Sequence, residues 1–147
     1  MSEILTATHN FGTAPTRGTS AADTFKAALY LTTATVNAAT TAYSATNEVS
    51  GTNYTAGGVT VTNATAPTPA NSSATAGVAY WTPSASITYT NVTLSSAFDA
   101  VLIYNSSQSN KAVSVHTFGS QTITAGTFTL TMPSNTTTTA LLRLSTT

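Results

Sequence analysis

The sequence carries little charge and no cysteine. Among its 147 residues four are acidic and four are basic, so the net charge is zero. A nucleic-acid-binding protein neutralises phosphates with clustered Lys and Arg side chains, and four cations balanced by four anions supply no such cluster. We therefore expect no nucleic-acid partner. The absence of cysteine excludes disulfide scaffolds, thiol nucleophiles and thiolate zinc sites.

Long apolar runs are also missing. The longest run of large apolar residues is VLIY at 101–104, far short of the roughly 20 residues that a membrane-spanning helix needs. The first residues, MSEILT, contain no basic segment and no apolar stretch of signal-peptide length. We therefore expect no membrane partner, and synthesis in a cytoplasm without cleavage.

Small hydroxyl-bearing and methyl-bearing residues dominate instead. The 35 Thr, 24 Ala and 17 Ser fill just over half of the chain, whereas Leu, Ile, Val and Phe total 27 residues. Such a low apolar content is typical of disordered chains, but those also carry high net charge and few aromatic residues. Because Thr is β-branched and suits a half-exposed sheet, we expect a sheet domain with a thin core. A thin core without disulfides or metal needs further stabilisation, either from a homo-oligomer (a dimer or a trimer) or from docking on a larger surface.

Alternation of apolar and polar residues predicts about eight short strands. It is clearest at 127–132 (TFTLTM), and at 25–32 it favours a strand over an Ala-rich helix that would begin near Ser20. Residues 98–105 are apolar on both faces, which predicts a strand in the middle of a sandwich or beneath another layer. Further strands are predicted near 59–62, 78–81, 87–94, 111–118 and 140–144. This spacing is typical of an all-β, single-domain antiparallel β-sandwich, and eight strands also match a jelly roll.

The remaining segments divide the chain into an arm and a domain. Residues 1–22 are polar and aperiodic, so we interpret them as an N-terminal arm or loop, and 23–147 as the sandwich domain. Residues 34–58 form a long connection, in which 38–43 could make one helical turn. Residues 63–77 are predicted to be an exposed loop, because two prolines there cannot donate backbone hydrogen bonds in a central strand.

The sequence contains no convincing catalytic constellation. Glu48 and Asp99 could meet in space, but nothing in their spacing indicates an acid pair facing a groove. His9 and His116 are the only imidazoles, and although His116 with Asp99 could be written as part of a triad, no Gly-x-Ser-x-Gly motif is present. A surface histidine is the favoured interpretation of His116. We expect no enzyme, no catalytic residue, no cofactor and no metal.

Three residues are candidates for contacts with a partner: Phe11, Arg17 and Tyr54. Phe11 is a large apolar residue of the arm. It either docks on a partner or folds back onto the core of its own domain, which is the favoured alternative. Aromatic residues could also form a platform for sugar, although core and interface packing is the more frequent use of such side chains. The residues of that platform would be Tyr54, Tyr80, Trp81 and Tyr89.

Three motifs resemble segments of known proteins. They are DTFKAALY at 23–30, NEVSGTNYTAGG at 47–58, and FDAVLIYNS at 98–106 followed by NKAV at 110–113. In this order and spacing they resemble small virion structural proteins of tailed bacteriophages, over roughly residues 20–144. Some of those proteins look like capsid cement (decoration) proteins with a jelly-roll fold, and the family supplies no catalytic residue to transfer.

The resemblance implies a role and a location. The chain would be made in the host cytoplasm, and would then bind the major capsid protein on the outer capsid surface and stabilise the shell. Deletion of residues 1–18 is then expected to weaken capsid binding more than folding. The rival interpretation is a tail-fibre module or a receptor-binding or carbohydrate-binding β-sandwich.

Overall fold

The computed structural model describes residues 9, 11, 23–62, 68–70 and 77–145. These residues form ten strands and no helix, and all strand pairs are antiparallel. The predicted all-β class is therefore confirmed. The strands are β1 (Phe25–Leu31), β2 (Gly51–Thr52), β3 (Val59–Thr60), β4 (Thr68–Ala70), β5 (Val78–Trp81), β6 (Ile87–Leu94), β7 (Phe98–Asn105), β8 (Lys111–Gln121), β9 (Gly126–Leu130) and β10 (Leu142–Ser145).

The strands form three sheets, two of which pack face to face. The four-stranded sheet has the order β3-β1-β7-β8, and the two three-stranded sheets have the orders β2-β6-β9 and β10-β5-β4. Phe98 of β7 meets Phe128 of β9 edge to face, with ring centroids 5.1 Å apart. The hydroxyl of Tyr89 on β6 donates a hydrogen bond of 2.6 Å to the carbonyl oxygen of Ala27 on β1. This packing confirms the predicted β-sandwich, whereas the jelly-roll topology stays a prediction.

Side chains of β1 alternate between the two faces of its sheet. Phe25 and Ala27 are buried in the main core between the sheets, together with Ile103, which pairs with Ala27 across β1 and β7. Ala28 and Tyr30 are buried on the opposite face. The period-two interpretation of residues 25–32 is thus confirmed over the helical one.

A second, smaller core covers that opposite face. Tyr30, Leu102 and Tyr104 are buried there, beneath Tyr43 from the connection that follows β1. β7 pairs with β1 on one edge and with β8 on the other, so it is a central strand. Its side chains contribute to both cores, so both of its faces are covered. Its two-sided apolar pattern predicted this position correctly.

Two short strands lie where the sequence predicted none. β4 lies inside the expected loop 63–77, as the edge strand of its sheet, with Pro69 opposite Ala79. Proline is tolerated at an edge because the outer side of such a strand needs no donor. β2 contains only two residues, paired with the end of β6, and is too short to show periodicity.

Some predicted boundaries also differ. β8 continues to Gln121 instead of ending at 118, and β9 ends at Leu130 instead of 132. The helical turn considered for 38–43 is wrong, because Ala42 instead forms an antiparallel bridge with Lys111 at the beginning of β8. The connection after β1 is therefore partly paired with the four-stranded sheet.

Candidate functional site

The carboxylate of Glu48 accepts three hydrogen bonds. Its Oε2 accepts one of 2.6 Å from the hydroxyl of Tyr43, and its Oε1 accepts one of 2.7 Å from each of the Tyr54 hydroxyl and the Gly57 amide. We call these four residues the Glu48 cluster. Hydrogen bonds to an ionised acceptor are stronger than neutral ones, so this single side chain stabilises the loop that leads into β2 and β3.

Two of the tyrosine hydroxyls attach this loop to the four-stranded sheet. The hydroxyl of Tyr54 also accepts a hydrogen bond of 3.0 Å from the amide of Leu29 in β1. The hydroxyl of Tyr104 in β7 donates one of 2.8 Å to the carbonyl oxygen of Gly57, and its ring stacks on that of Tyr43 with centroids 4.6 Å apart. The segment 47–58 is therefore attached to both central strands.

Burial keeps these phenols protonated. It raises the pKa of Tyr104 to about 12, with a further contribution from the negative charge of Glu48. The pKa values of Tyr43 and Tyr54 are raised further, first by burial and then by the hydrogen bonds to Glu48. A phenol that stays neutral well above pH 7 keeps its proton for a hydrogen bond. The Glu48 cluster therefore supplies hydrogen bonds between the loop and the four-stranded sheet.

Gly58 allows the same loop to lie directly against β1. Its φ is +75°, in the left-handed region, and a Cβ at this position would collide with the backbone carbonyl of Ala27. Glycine is the residue that meets both requirements, because it lacks a Cβ. The two glycines that end the NEVSGTNYTAGG motif thus have defined roles: Gly57 donates to Glu48, and Gly58 permits the close approach.

A second polar cluster connects the beginning of β1 with the end of β7. The buried Asn105 donates through Nδ2 to Asp23 Oδ2 at 2.7 Å, and the same atom lies 3.0 Å from His9 Nδ1. Asp23 also accepts a hydrogen bond of 3.2 Å from Gln108. The Asp23 carboxylate, like that of Glu48, is therefore engaged in contacts within the chain.

An open groove of about 700 Å³ lies between the edge of β8 and the sheet formed by β10, β5 and β4. Its volume falls in the range of small-ligand pockets. Among the residues that the structure describes, no carboxylate lines it, and most of the lining is apolar. One side is formed by Ser114, Val115 and His116, and the other includes Trp81, Leu142 and Leu144.

The groove contains one serine–histidine pair. Ser114 Oγ lies 3.0 Å from His116 Nε2, and burial lowers the pKa of His116. A hydrolase triad also needs a carboxylate that orients the imidazole and donors for an oxyanion. Because the described lining has no carboxylate, this pair lacks the third member of a triad.

The candidate partner-binding residues occupy different places. Phe11 is only 9% exposed and stacks on Phe25 at 4.9 Å, with Trp81 at 4.4 Å, so it folds back onto the main core of its own domain. Tyr54 is partly buried in the Glu48 cluster. Arg17 lies outside the described residues.

The four aromatic residues considered as a sugar platform are not assembled on one surface. Trp81 and Tyr89 are each 2% exposed and belong to the main core, and Tyr54 stacks on Tyr89 with centroids 5.9 Å apart. Tyr80 pairs with Arg143 across β5 and β10. Core packing, the favoured interpretation, therefore describes three of the four.

No family model matches the chain, and no curated protein or solved structure shows significant similarity to it. Within the described part of the chain, no group of three or more His, Cys, Asp or Glu residues could hold a metal ion. The same residues include no helix with the length and apolarity needed to cross a bilayer.

Proposed function

We propose that this chain is a non-enzymatic structural protein of a tailed-bacteriophage virion, a cement protein that binds the major capsid protein on the outer surface of the shell. The proposal begins from the resemblance of segments 23–30, 47–58, 98–106 and 110–113 to such proteins. The observation that carries the proposal is that carboxylates of these segments form hydrogen bonds inside the chain. Two of their carboxylates, Glu48 and Asp23, accept hydrogen bonds from other residues of the chain.

The surface chemistry supports docking without charge steering. The net charge is zero, and Thr and Ser together occupy 52 positions, from counts of 35 and 17. Such a surface would bind a capsid through shape, backbone pairing and hydrogen bonds. Many copies that repeat a modest contact around the shell would then supply the avidity.

The first experiment measures the copy number of the chain in purified virions. A copy number comparable to that of the major capsid protein supports a cement protein. A copy number that matches the few subunits of a tail structure contradicts it and supports the tail-fibre or carbohydrate-binding alternative. A glycan-array screen of the purified chain then tests that alternative directly.

A second experiment tests the N-terminal arm. Since Phe11 packs in the main core, deletion of residues 1–18 removes a core side chain and cannot separate binding from folding. The variant Arg17→Ala changes a candidate contact residue and leaves Phe11 in place. We expect weaker co-sedimentation with capsids that lack the protein and an unchanged unfolding midpoint. Unchanged binding would exclude a contribution of Arg17.

A further inference from the structure

Two contacts fix the orientation of the buried Asn105 amide. Its Nδ2 lies 2.7 Å from Asp23 Oδ2, and a carboxylate oxygen accepts hydrogen bonds. Its Oδ1 accepts a hydrogen bond of 3.0 Å from the amide of Ser107. If the two atoms exchanged places, oxygen would face oxygen at one contact and one N–H donor would face another at the second. The atom that faces His9 is therefore the Nδ2 donor.

This orientation assigns the proton of the His9 ring. Its Nδ1 lies 3.0 Å from Asn105 Nδ2, and two N–H donors cannot share one hydrogen bond. Nδ1 therefore presents its lone pair, so the ring is neutral and carries its single proton on Nε2. An imidazolium has a hydrogen on both nitrogens and would lose this contact. The hydrogen bond between Asn105 and His9 thus depends on the protonation state of one ring.

The same ring belongs to the aromatic cluster that holds Phe11. The centroid of the His9 ring lies 5.7 Å from that of Phe11 and 6.1 Å from that of Phe25. Phe11 stacks on Phe25, lies 4.4 Å from Trp81 and lines the apolar groove. Displacement of His9 would therefore act on a core side chain and on the lining of the groove.

Two charged residues of the described part of the chain neighbour Asn105. Asp23 accepts one of its hydrogen bonds, and Lys111 is the residue opposite it across β7 and β8. On β1 the side chain that packs against His9 is the uncharged Phe25. The Asp23 carboxylate would attract an imidazolium, but Asn105 Nδ2 lies within hydrogen-bond distance of both groups and bridges them. A direct ion pair would require this arrangement to break.

We propose that His9 and Asn105 form an acid-sensitive latch, which attaches Phe11 to the core while His9 is neutral and releases it when His9 is protonated. Release would expose Phe25 and Trp81 and would remove Phe11 from the lining of the groove. The inference does not depend on the proposed capsid function.

The direction of the pH effect follows from proton linkage. A histidine of an unfolded chain takes up a proton near its ordinary pKa of about 6.5. The docked His9 ring has no room for that proton on Nδ1, so the folded state binds it more weakly than the unfolded state does. The stability that depends on the latch is therefore present above about pH 6.5 and is lost as the pH falls below that value.

The first test is the tautomer of His9 in the full-length chain. Long-range proton–nitrogen NMR spectra at about pH 8, above the ordinary pKa of histidine, should show a bare Nδ1 and a protonated Nε2. This measurement needs no variant. A hydrogen on Nδ1 would remove the basis of the latch.

The second test is the pH dependence of unfolding in urea. His116 is the other imidazole, and because burial lowers its pKa, its protonation also opposes folding as the pH falls. His116→Gln removes that contribution and leaves the latch intact. In this variant the equilibrium constant for unfolding should rise about tenfold from about pH 7.5 to about pH 5.5, the factor expected when a group with a pKa of about 6.5 takes up its proton only in the unfolded state. The emission of Trp81 should shift over the same range.

The matched variant adds His9→Asn to His116→Gln. An asparagine oxygen can accept the hydrogen bond from Asn105, and it does not titrate in this range. The unfolding constant of the double variant should change by less than about twofold over the same interval, and its Trp81 emission should stay constant. Circular dichroism above the ordinary histidine pKa establishes that each variant is folded.

Three results would overturn the proposal. They are a hydrogen on Nδ1 of the neutral His9 ring, an unfolding constant of the His116→Gln variant that does not rise on acidification, and an equal pH dependence in the single and double variants. An unfolding constant that falls on acidification would show that Asp23 pairs with the imidazolium and holds the protonated ring in place.

Discussion

The hydroxyl of Tyr54 links Glu48 to β1. It donates a hydrogen bond of 2.7 Å to Glu48 Oε1 and accepts one of 3.0 Å from the amide of Leu29. One phenol thus connects a loop carboxylate to the backbone of a central strand. Since the same Glu48 oxygen also accepts from the Gly57 amide, loss of the carboxylate would leave several donors without an acceptor.

Replacement of Glu48 should therefore destabilise the domain strongly. Glu48→Ala leaves two phenols and one amide without their acceptor, and we expect a loss of about 2–4 kcal/mol in the free energy of unfolding. Urea denaturation measures it. Thr55→Ala, an exposed change in the same loop, is the control and should change stability by less than about 0.5 kcal/mol. Equal losses for the two variants would contradict the role of Glu48.

Two glycines should respond in opposite ways to the same substitution. Gly58→Ala adds a methyl group against the Ala27 carbonyl at a φ of +75°, and should cost about 2–4 kcal/mol. Gly119→Ala adds one into open space and should be neutral or stabilise by up to about 1 kcal/mol. The two unfolding midpoints provide the comparison. A neutral Gly58→Ala variant would show that this loop does not lie against β1 as described.

Phe11 should contribute to folding. Phe11→Ala opens a cavity beside Phe25 and Trp81, and we expect a loss of about 3 kcal/mol. Because Trp81 is the only tryptophan of the chain and lies 4.4 Å from Phe11 between ring centroids, its fluorescence should also shift. Leu144→Ala removes an apolar side chain that is 52% exposed and serves as the control. An unchanged stability and emission spectrum for Phe11→Ala would place this residue outside the core.

High pH should unfold the domain through its tyrosines. The folded-state pKa of Tyr104 is raised to about 12 from an ordinary value of 10.0, so the unfolded chain releases this proton first. The stability that depends on the neutral phenol is complete below about pH 10 and is lost as the pH rises toward 12.

Denaturation midpoints measured across this pH range, with tyrosinate absorbance, test the effect. Tyr104→Phe should show a shallower decline, because it removes one of the groups that titrate. Midpoints that stay constant from about pH 10 to 12 would contradict the raised pKa values.

Periodicity predicted the elements that are long enough to express it. β1 and β7 span seven and eight residues. The alternation in β1 and the two-sided apolar run in β7 therefore indicate the type and the buried faces of each strand. β2 has two residues and β4 has three, too few for any local pattern. Their pairing depends on β6 and β5, which lie elsewhere in the chain.

The sequence by itself determined the all-β class, the two-sided burial of β7, and the lack of a strongly charged or cysteine-based site, because composition and alternation are local properties. Only the tertiary structure decided that Phe11 lies in the core and that Glu48 anchors a loop. Tyr104 and Gly57, which meet in a hydrogen bond, are 47 positions apart. No local pattern specifies such a contact, because Gly57 and Tyr104 meet only after the loop before β3 has packed against the four-stranded sheet.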